Sequence, residues 1–247
     1  MSEKFARFAA LHVPGDPLIL YNIWDTGSAL AVVAAGAKAL ATGSHPVGDA
    51  AGFGDGEKVP LDYVFDNAQR IMAAVDLPLT VDFEGAYSVD PDEGAANVVQ
   101  LKATGAVGCN FEDQVIGGEG LHPLDLQVRR IAAIRAAVGS NFFINARTDL
   151  LLKTELHGAA LTDQVIARGK AFADAGANGF FVPRLADPKQ VDRVVRDVPL
   201  PLNLIAFPGA PDKQLWADAG AARISHGPFP HRALMKQLEA AARDAIN

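Results

Sequence analysis

Short apolar runs alternate with helix-like stretches eight times along this chain, and that rhythm constrains the fold more than any single residue. The strand-like runs are Leu18–Asn22, Ala37–Ala41, Leu79–Phe83, Val107–Phe111, Phe142–Ala146, Gly179–Val182, Leu202–Ala206 and Ala222–Ser225. Helical patterns follow them at Ser28–Ala35, Leu61–Val75, Pro91–Thr104, Leu124–Val138, Leu161–Ala175, Pro188–Asp197, Pro211–Ala219 and Arg232–Ile246. Proline opens several of these at or near the first turn, where its missing N–H costs nothing. Gly36, Gly105, Gly139, Gly176 and Gly220 close others, as left-handed C-caps would. Eight β-then-α units in 247 residues predict an α/β fold of the closed (β/α)8 TIM-barrel type better than a doubly wound sheet. No composition break or low-complexity run divides the chain, so residues 1–247 read as one domain. A 49% hydrophobic content is enough for one large core.

The formal charge is -7, and no basic cluster exceeds the pair Arg129-Arg130. Neither nucleic acid nor an anionic membrane is therefore expected as a partner, and a small molecule is. Cys109 is the only cysteine, which excludes a disulfide framework and a thiolate metal site and points to a reducing cytoplasm. Met1 to Leu11 lacks the apolar core and cleavage ending of a signal peptide. The small-apolar stretch Ser28 to Ala41 is interrupted by Gly36 and Lys38 and is shorter than the ~20 residues of a membrane span.

In a barrel the loops after the strands build the active-site face. Two of them, Thr42–Pro60 and Gln114–Pro123, are long, Gly-rich and read as unstructured. Asp82 and Glu84 end the third strand at i and i+2, on one side of it, and Glu112 and Asp113 repeat the design on the fourth. Strand ends often carry merely solvated acids. Two acidic ends in succession favour a Mg2+ site of oxygen ligands and retained waters, with Mn2+ as the alternative. Zinc is disfavoured, because there is no cysteine pair or His-x-x-x-His spacing.

Thr42-Gly43-Ser44 is either an ordinary turn or a cradle of N–H and hydroxyl groups for a carboxylate or enolate oxygen. Asn145 and Arg147 end the fifth strand; Arg147 either pairs with Asp149 on the surface or, as the sole guanidinium on a buried strand end, forks a substrate carboxylate. Asn203 and Ser225-His226 complete the ring. His45 and His226 are candidate acid/base groups, while His157 and His231 look peripheral. Asp55, in Gly54-Asp55-Gly56, reads as a turn residue.

This ordered set resembles the isocitrate lyase/phosphoenolpyruvate mutase superfamily, in its short single-domain branch. The resemblance covers nearly the whole chain. It runs through Thr42-Gly43-Ser44, Gly54-Asp55-Gly56-Glu57, Val81-Asp82-Phe83-Glu84-Gly85 and Asn110-Phe111-Glu112-Asp113, then Asn145-Ala146-Arg147-Thr148-Asp149, Val182-Pro183 and Pro201-Leu202-Asn203-Leu204. It implies a (β/α)8 barrel, often with a C-terminal helix swapped between subunits, in homodimers or homotetramers. It also implies Mg2+ and a 2-oxo acid or its enolate, next to which a C–C or P–C bond is broken or formed. By position Asp82 resembles the direct Mg2+ ligand, Glu84 and Glu112 its water-mediated partners, Asp55 the loop aspartate near metal and substrate, Arg147 the substrate-binding arginine, and Gly43 and Ser44 the backbone cradle.

Three departures refine this. The lyases of the family carry a cysteine, placed as general acid, in the loop after the fourth strand; Gln114–Pro123 has none and offers Glu119 and His122 instead. The phosphonate-acting members carry lysines there, and this segment has none. The family's Gly-Tyr-Gly after the first acids becomes Gly85-Ala86-Tyr87-Ser88. The expected activity is thus a Mg2+-dependent C–C lyase on a small 2-oxo or 2-hydroxy acid, passing through an enolate, similar to oxaloacetate decarboxylases and hydrolases or 2-methylisocitrate lyase. P–C mutase or hydrolase chemistry on phosphoenolpyruvate or phosphonopyruvate, and a metal- and carboxylate-binding barrel without turnover, are the alternatives.

Overall fold

A computed structural model describes residues 3–247. In chain order the elements are α1 (Glu3–Ala10), β1 (Leu18–Leu20), α2 (Thr26–Ala34), β2 (Leu40–Ala41), α3 (Ser44–Ala51), α4 (Leu61–Ala74), β3 (Leu79–Asp82), α5 (Pro91–Ala103), β4 (Gly108–Glu112) and α6 (Leu124–Val138). They continue with β5 (Phe143–Arg147), α7 (Leu150–Lys153), α8 (Gly158–Asp174), β6 (Gly179–Phe181), α9 (Pro188–Asp197), β7 (Leu202–Ile205), α10 (Lys213–Asp218), β8 (Arg223–Ser225) and α11 (Phe229–Ile246).

All eight expected strands form, and all their pairings are parallel in the order β1-β8-β7-β6-β5-β4-β3-β2. The β1–β2 seam is joined by a parallel bridge from Ile23 to Thr42, with Ile23 N–H donating to Ala41 O at 2.9 Å. The sheet is therefore a nearly closed (β/α)8 TIM barrel.

Alternation along each strand sorts the side chains into two layers. Val81, Cys109, Ile144, Phe180, Leu204 and Ile224 face outward and join the helices in the main core. Inside the base, Leu18, Leu20, Ala39, Ala41, Val107 and Phe143 meet Phe5 and Phe8 of α1, which plugs the barrel bottom. Helix ends follow the expected chemistry. Asp90 caps α5, its carboxylate accepting from Asp92 N–H (2.9 Å) and Glu93 N–H (3.0 Å), with Pro91 in the first turn. The five C-terminal glycines all have positive φ.

Three helices go beyond the sequence reading: α1, the four-residue α7, and α3, which lies inside the supposedly unstructured Thr42–Pro60. α3 carries Pro46 and Gly48, so its composition hides it. Gly48 is required by packing, since a Cβ there would stand 2.2 Å from Gly54 O. Among the described residues, no helix is long and apolar enough to cross a membrane.

Candidate active site at the C-terminal rim

β3 and β4 lie side by side with Asp82 opposite Asn110, so the four acids sit on adjacent strand ends, but of these only Asp82 lines the cavity on the rim. Their environments differ. Asp82 Oδ2 accepts from the backbone N–H and the hydroxyl of Ser44, both at 3.0 Å, and Oδ1 accepts from Asn110 Nδ2 at 3.1 Å. Ser44 begins α3, whose positive N-terminal end favours a carboxylate there. The Thr42-Gly43-Ser44 segment thus cradles Asp82 itself. Thr42 Oγ1 accepts from Asp82 N–H at 3.1 Å, and Gly43 leaves room for Pro46, whose Cγ would be 2.9 Å from an added Cβ.

Glu84 is turned away from Asp82's cavity and buried, its Oε2 accepting from Glu57 N–H at 2.7 Å. Burial, then the charges of Asp82 and Asp55, push its carboxyl up to about 8. Glu57 answers by accepting from Gly85 N–H (3.0 Å) and Tyr87 N–H (2.7 Å), while burial raises its own carboxyl. Arg130 donates to Gly85 O at 2.6 Å and Ser88 O at 2.9 Å. These bonds hold Glu84, Ala86 and Tyr87 at φ 48°, 60° and 58°, left-handed conformations that residues with side chains rarely adopt. This is the backbone shape of the altered Gly85-Ala86-Tyr87-Ser88 stretch.

On β4, Glu112 is buried against Arg147, Oε2 to Nη1 at 2.8 Å, and Gln114 Nε2 donates to its other oxygen. Burial raises Glu112 well above the usual carboxylate range, with Arg147 opposing. Arg147 also donates from Nε to the fully buried Asp149 at 2.8 Å. Burial works against the guanidinium, yet Glu112 and Asp149 raise it overall, so it stays charged. The expected alternative of a surface pair with Asp149 is corrected: the pair exists, but inside the protein. Asp113 leaves the rim, taking Asp149 N–H and Arg168 Nη1, both at 2.9 Å. Below the site Asn110, Asn145 and Asn203 form a ladder of side-chain bonds, 2.8 and 3.0 Å long, so Asn203 supports the floor without lining the cavity.

A cavity of about 280 Å3 opens on this rim. Of the residues expected at the site, Gly43, Ser44, Asp55, Asp82 and Arg147 line it; Thr42, Glu84, Glu112 and Asn203 stand behind. Thr42 and Glu84 share with Asp82 and Ser44 a smaller adjoining pocket of about 20 Å3, room for about one water. Asp55 Oδ1 accepts from Ser44 Oγ at 3.1 Å, and Asp55 Oδ2 lies 3.4 Å from His45 Nδ1. Of the four acid/base candidates only His45 lines the cavity; Glu119, His122 and His226 do not.

The expectation of a single rim guanidinium is also corrected. Arg184 and Arg232 line the same cavity, and Arg232 Nη2 meets His45 Nε2 at 2.8 Å. Arg184, three residues past Phe181 at the end of β6, was within reach of strand-end reasoning. Arg232, in the first turn of α11, carried no local signal. Leu152, Phe181, Ile205, Phe207 and Phe229 supply an apolar wall that the sequence did not mark.

The donor set suits a hard cation that keeps waters. One inner carboxylate, Asp82, faces the cavity, Asp55 stands near it, and a water-sized pocket separates Asp82 from Glu84. Among the described residues no three His, Cys, Asp or Glu side chains converge into a closed ligand cage.

Residues 8–246 match the family described as phosphoenolpyruvate phosphomutase. The chain belongs to that family. It is thus a member of the isocitrate lyase/phosphoenolpyruvate mutase superfamily, whose members include lyases and mutases. A crystal structure from Burkholderia cenocepacia titled "putative phosphonomutase" superposes with a TM-score of 0.94 at 43% identity, covering 98% of each chain. An uncharacterized protein of Mycobacterium tuberculosis is 35% identical over 96% of this chain and 87% of its own length. "Probable 2-methylisocitrate lyase 2" of Corynebacterium glutamicum is 32% identical over 76% of this chain and 62% of its own.

Proposed function

We propose that this family member is a Mg2+-dependent carbon–carbon lyase, cleaving the bond next to the functional carbon of a small 2-oxo or 2-hydroxy acid through an enolate. The observation that carries this reading is the pairing, in one cavity, of Asp82 held by Ser44 and of Arg147 held charged by two buried acids. Asp82 would bind Mg2+ directly, with Asp55, Glu84 and Glu112 acting through water; Mn2+ suits the same oxygens. Bound there, the cation supplies a Lewis acid for the charge that grows on the enolate oxygen. Arg147 forks the substrate carboxylate and aligns the scissile bond. Phe181, Ile205 and Phe207 exclude water, and Gly43 and Ser44 hold the polar side of the substrate. His45, lodged between Asp55 and Arg232, is the cavity residue placed to move a proton.

The Corynebacterium relative's name supports a lyase, while the family description keeps P–C chemistry as the second reading. The Gln114–Pro123 segment favours the first, since it contains none of the lysines that the phosphonate-acting members carry there. We also propose a homodimer or homotetramer in the cytoplasm, its contact formed by α11, which exposes Leu234, Met235, Leu238 and Ile246. Light scattering checks the assembly.

Purified protein with added Mg2+ should convert oxaloacetate, 2-methylisocitrate or dimethylmalate to products counted by coupled assay. Asp82→Ala should lower kcat/KM by about 10³-fold or more. Activity surviving Asp82→Ala would sink the metal assignment. Consumption of phosphonopyruvate alone would favour the P–C reading, and binding of oxalate without any turnover would leave a binding barrel.

A further inference from the structure

The turn after β6 uses an arginine where the backbone favours glycine. In Val182-Pro183-Arg184-Leu185, Leu185 N–H reaches back to Val182 O at 3.4 Å, and Arg184 has φ 67°. Proline followed by a left-handed residue is the pattern of a type II turn, whose third position selects Gly or Asn. An arginine there costs free energy in the folded state, and backbone strain of this kind concentrates at functional sites.

The side chain that carries this strain lines the mouth of the cavity. Its Cζ lies 4.7 Å from the centroid of Phe207, a ring in the same wall, so the guanidinium has a preferred seat. The three cavity arginines differ in their partners. Arg147 is matched by Glu112 and Asp149, and Arg232 meets His45. Among the described residues Arg184 makes no ion pair and no side-chain hydrogen bond. A seated guanidinium with five free N–H donors is a fork for a planar or tetrahedral oxyanion. Arg147 ends β5 and Arg184 follows β6, and those strands are neighbours, so one small molecule can meet both.

We infer that Arg184 recognises a second anionic group, carboxylate or phosphonate, at the far end of the substrate and so selects diacids over monoacids. The inference rests on the lyase reading for which acid group sits at Arg147. Arg184 is a specificity-determining residue, and Arg147 remains the holder of the reacting end.

Binding measured calorimetrically with Mg2+ present tests this without turnover. The probes are malate, 2-hydroxybutyrate, which replaces malate's distal carboxylate with a methyl, and phosphonopyruvate. The wild type should bind malate or phosphonopyruvate at least about tenfold more tightly than 2-hydroxybutyrate, and the tighter of the two names the second anion. Arg184→Gln should erase that preference and leave 2-hydroxybutyrate affinity within about twofold. A wild type without preference, a preference that persists in Arg184→Gln, or equal loss of all three ligands would overturn the inference. Arg184→Gly should lose the same preference with a Tm no lower than wild type, despite the freedom glycine adds to the unfolded chain; a lower Tm would overturn the strain argument and the inference with it. If no substrate turns over but the preference depends on Arg184, only the lyase reading falls. Turnover with an Arg184-independent preference removes only the present inference.

Discussion

The two ends of the barrel use the same eight strands in opposite ways. At the base, apolar side chains from β1, β2 and β5 and from the residues around them meet Phe5 and Phe8, with backbone in ordinary conformations. At the rim the strands end in Asp82, Glu112 and Arg147. All five non-glycine residues with positive φ among the described residues, Glu57, Glu84, Ala86, Tyr87 and Arg184, lie in loops after β2, β3 and β6. Burial at the base stabilises, while the rim holds crowded charge and strained backbone that only the rest of the fold can support. Stability and activity should therefore respond separately to changes at the two ends.

Arg147 is the place where that separation should break. Arg147→Met leaves Glu112 and Asp149 buried with no cation, a loss of about 3–5 kcal/mol in urea unfolding, and removes the substrate fork as well. A variant with wild-type stability would show that the two acids are neutralised by other means. Phe8→Ala, at the base, should cost about 3–5 kcal/mol through the cavity it leaves under β1 and β5, with kcat per folded molecule unchanged. Lost activity in the folded fraction would mean that the plug also sets the rim.

The base and the rim were unequally legible in the sequence. The strands were legible because apolar runs bounded by Pro and Gly encode them locally, and the barrel followed from counting them. Phe5 and Phe8 were present at helical spacing, yet only the closed barrel supplies the surface that makes α1 a plug. Asp82 and Arg147 could be placed from their strand ends. Glu112 and Asp113 looked like a copy of Asp82 and Glu84, but their roles are set by partners far along the chain. Arg147 neutralises Glu112, and Arg168, 55 residues away, draws Asp113 off the rim. Glu84 likewise depends on Glu57, 27 residues earlier in a different loop. Such pairings follow from tertiary proximity, which no local pattern records.

The finest test of the division lies at His12, a titratable group buried in the base near the Arg223 guanidinium. Its ring stacks on Phe143 at 4.3 Å, and Nδ1 donates to Phe8 O at 2.9 Å, while the buried Nε2 has no partner. Burial first, and then the Arg223 guanidinium, lower its pKa from 6.5 to about 3, against the pull of the Phe8 and Ala9 carbonyls. Well above pH 6.5 the imidazole is neutral in folded and unfolded chains alike, and it contributes no pH dependence. As pH falls below 6.5 the unfolded chain takes up a proton that the folded chain refuses until about pH 3, so stability falls with pH in that window. The slope approaches about 1.4 kcal/mol per pH unit, and roughly 1 kcal/mol should be lost between pH 7 and pH 5.5. Urea unfolding of wild type and His12→Phe at those two pH values isolates the effect, because every other titrating group is common to both. The variant should lose about 1 kcal/mol less than the wild type on acidification. Equal losses would mean that His12 is protonated in place, and that the base of the barrel tolerates a charge as the rim does.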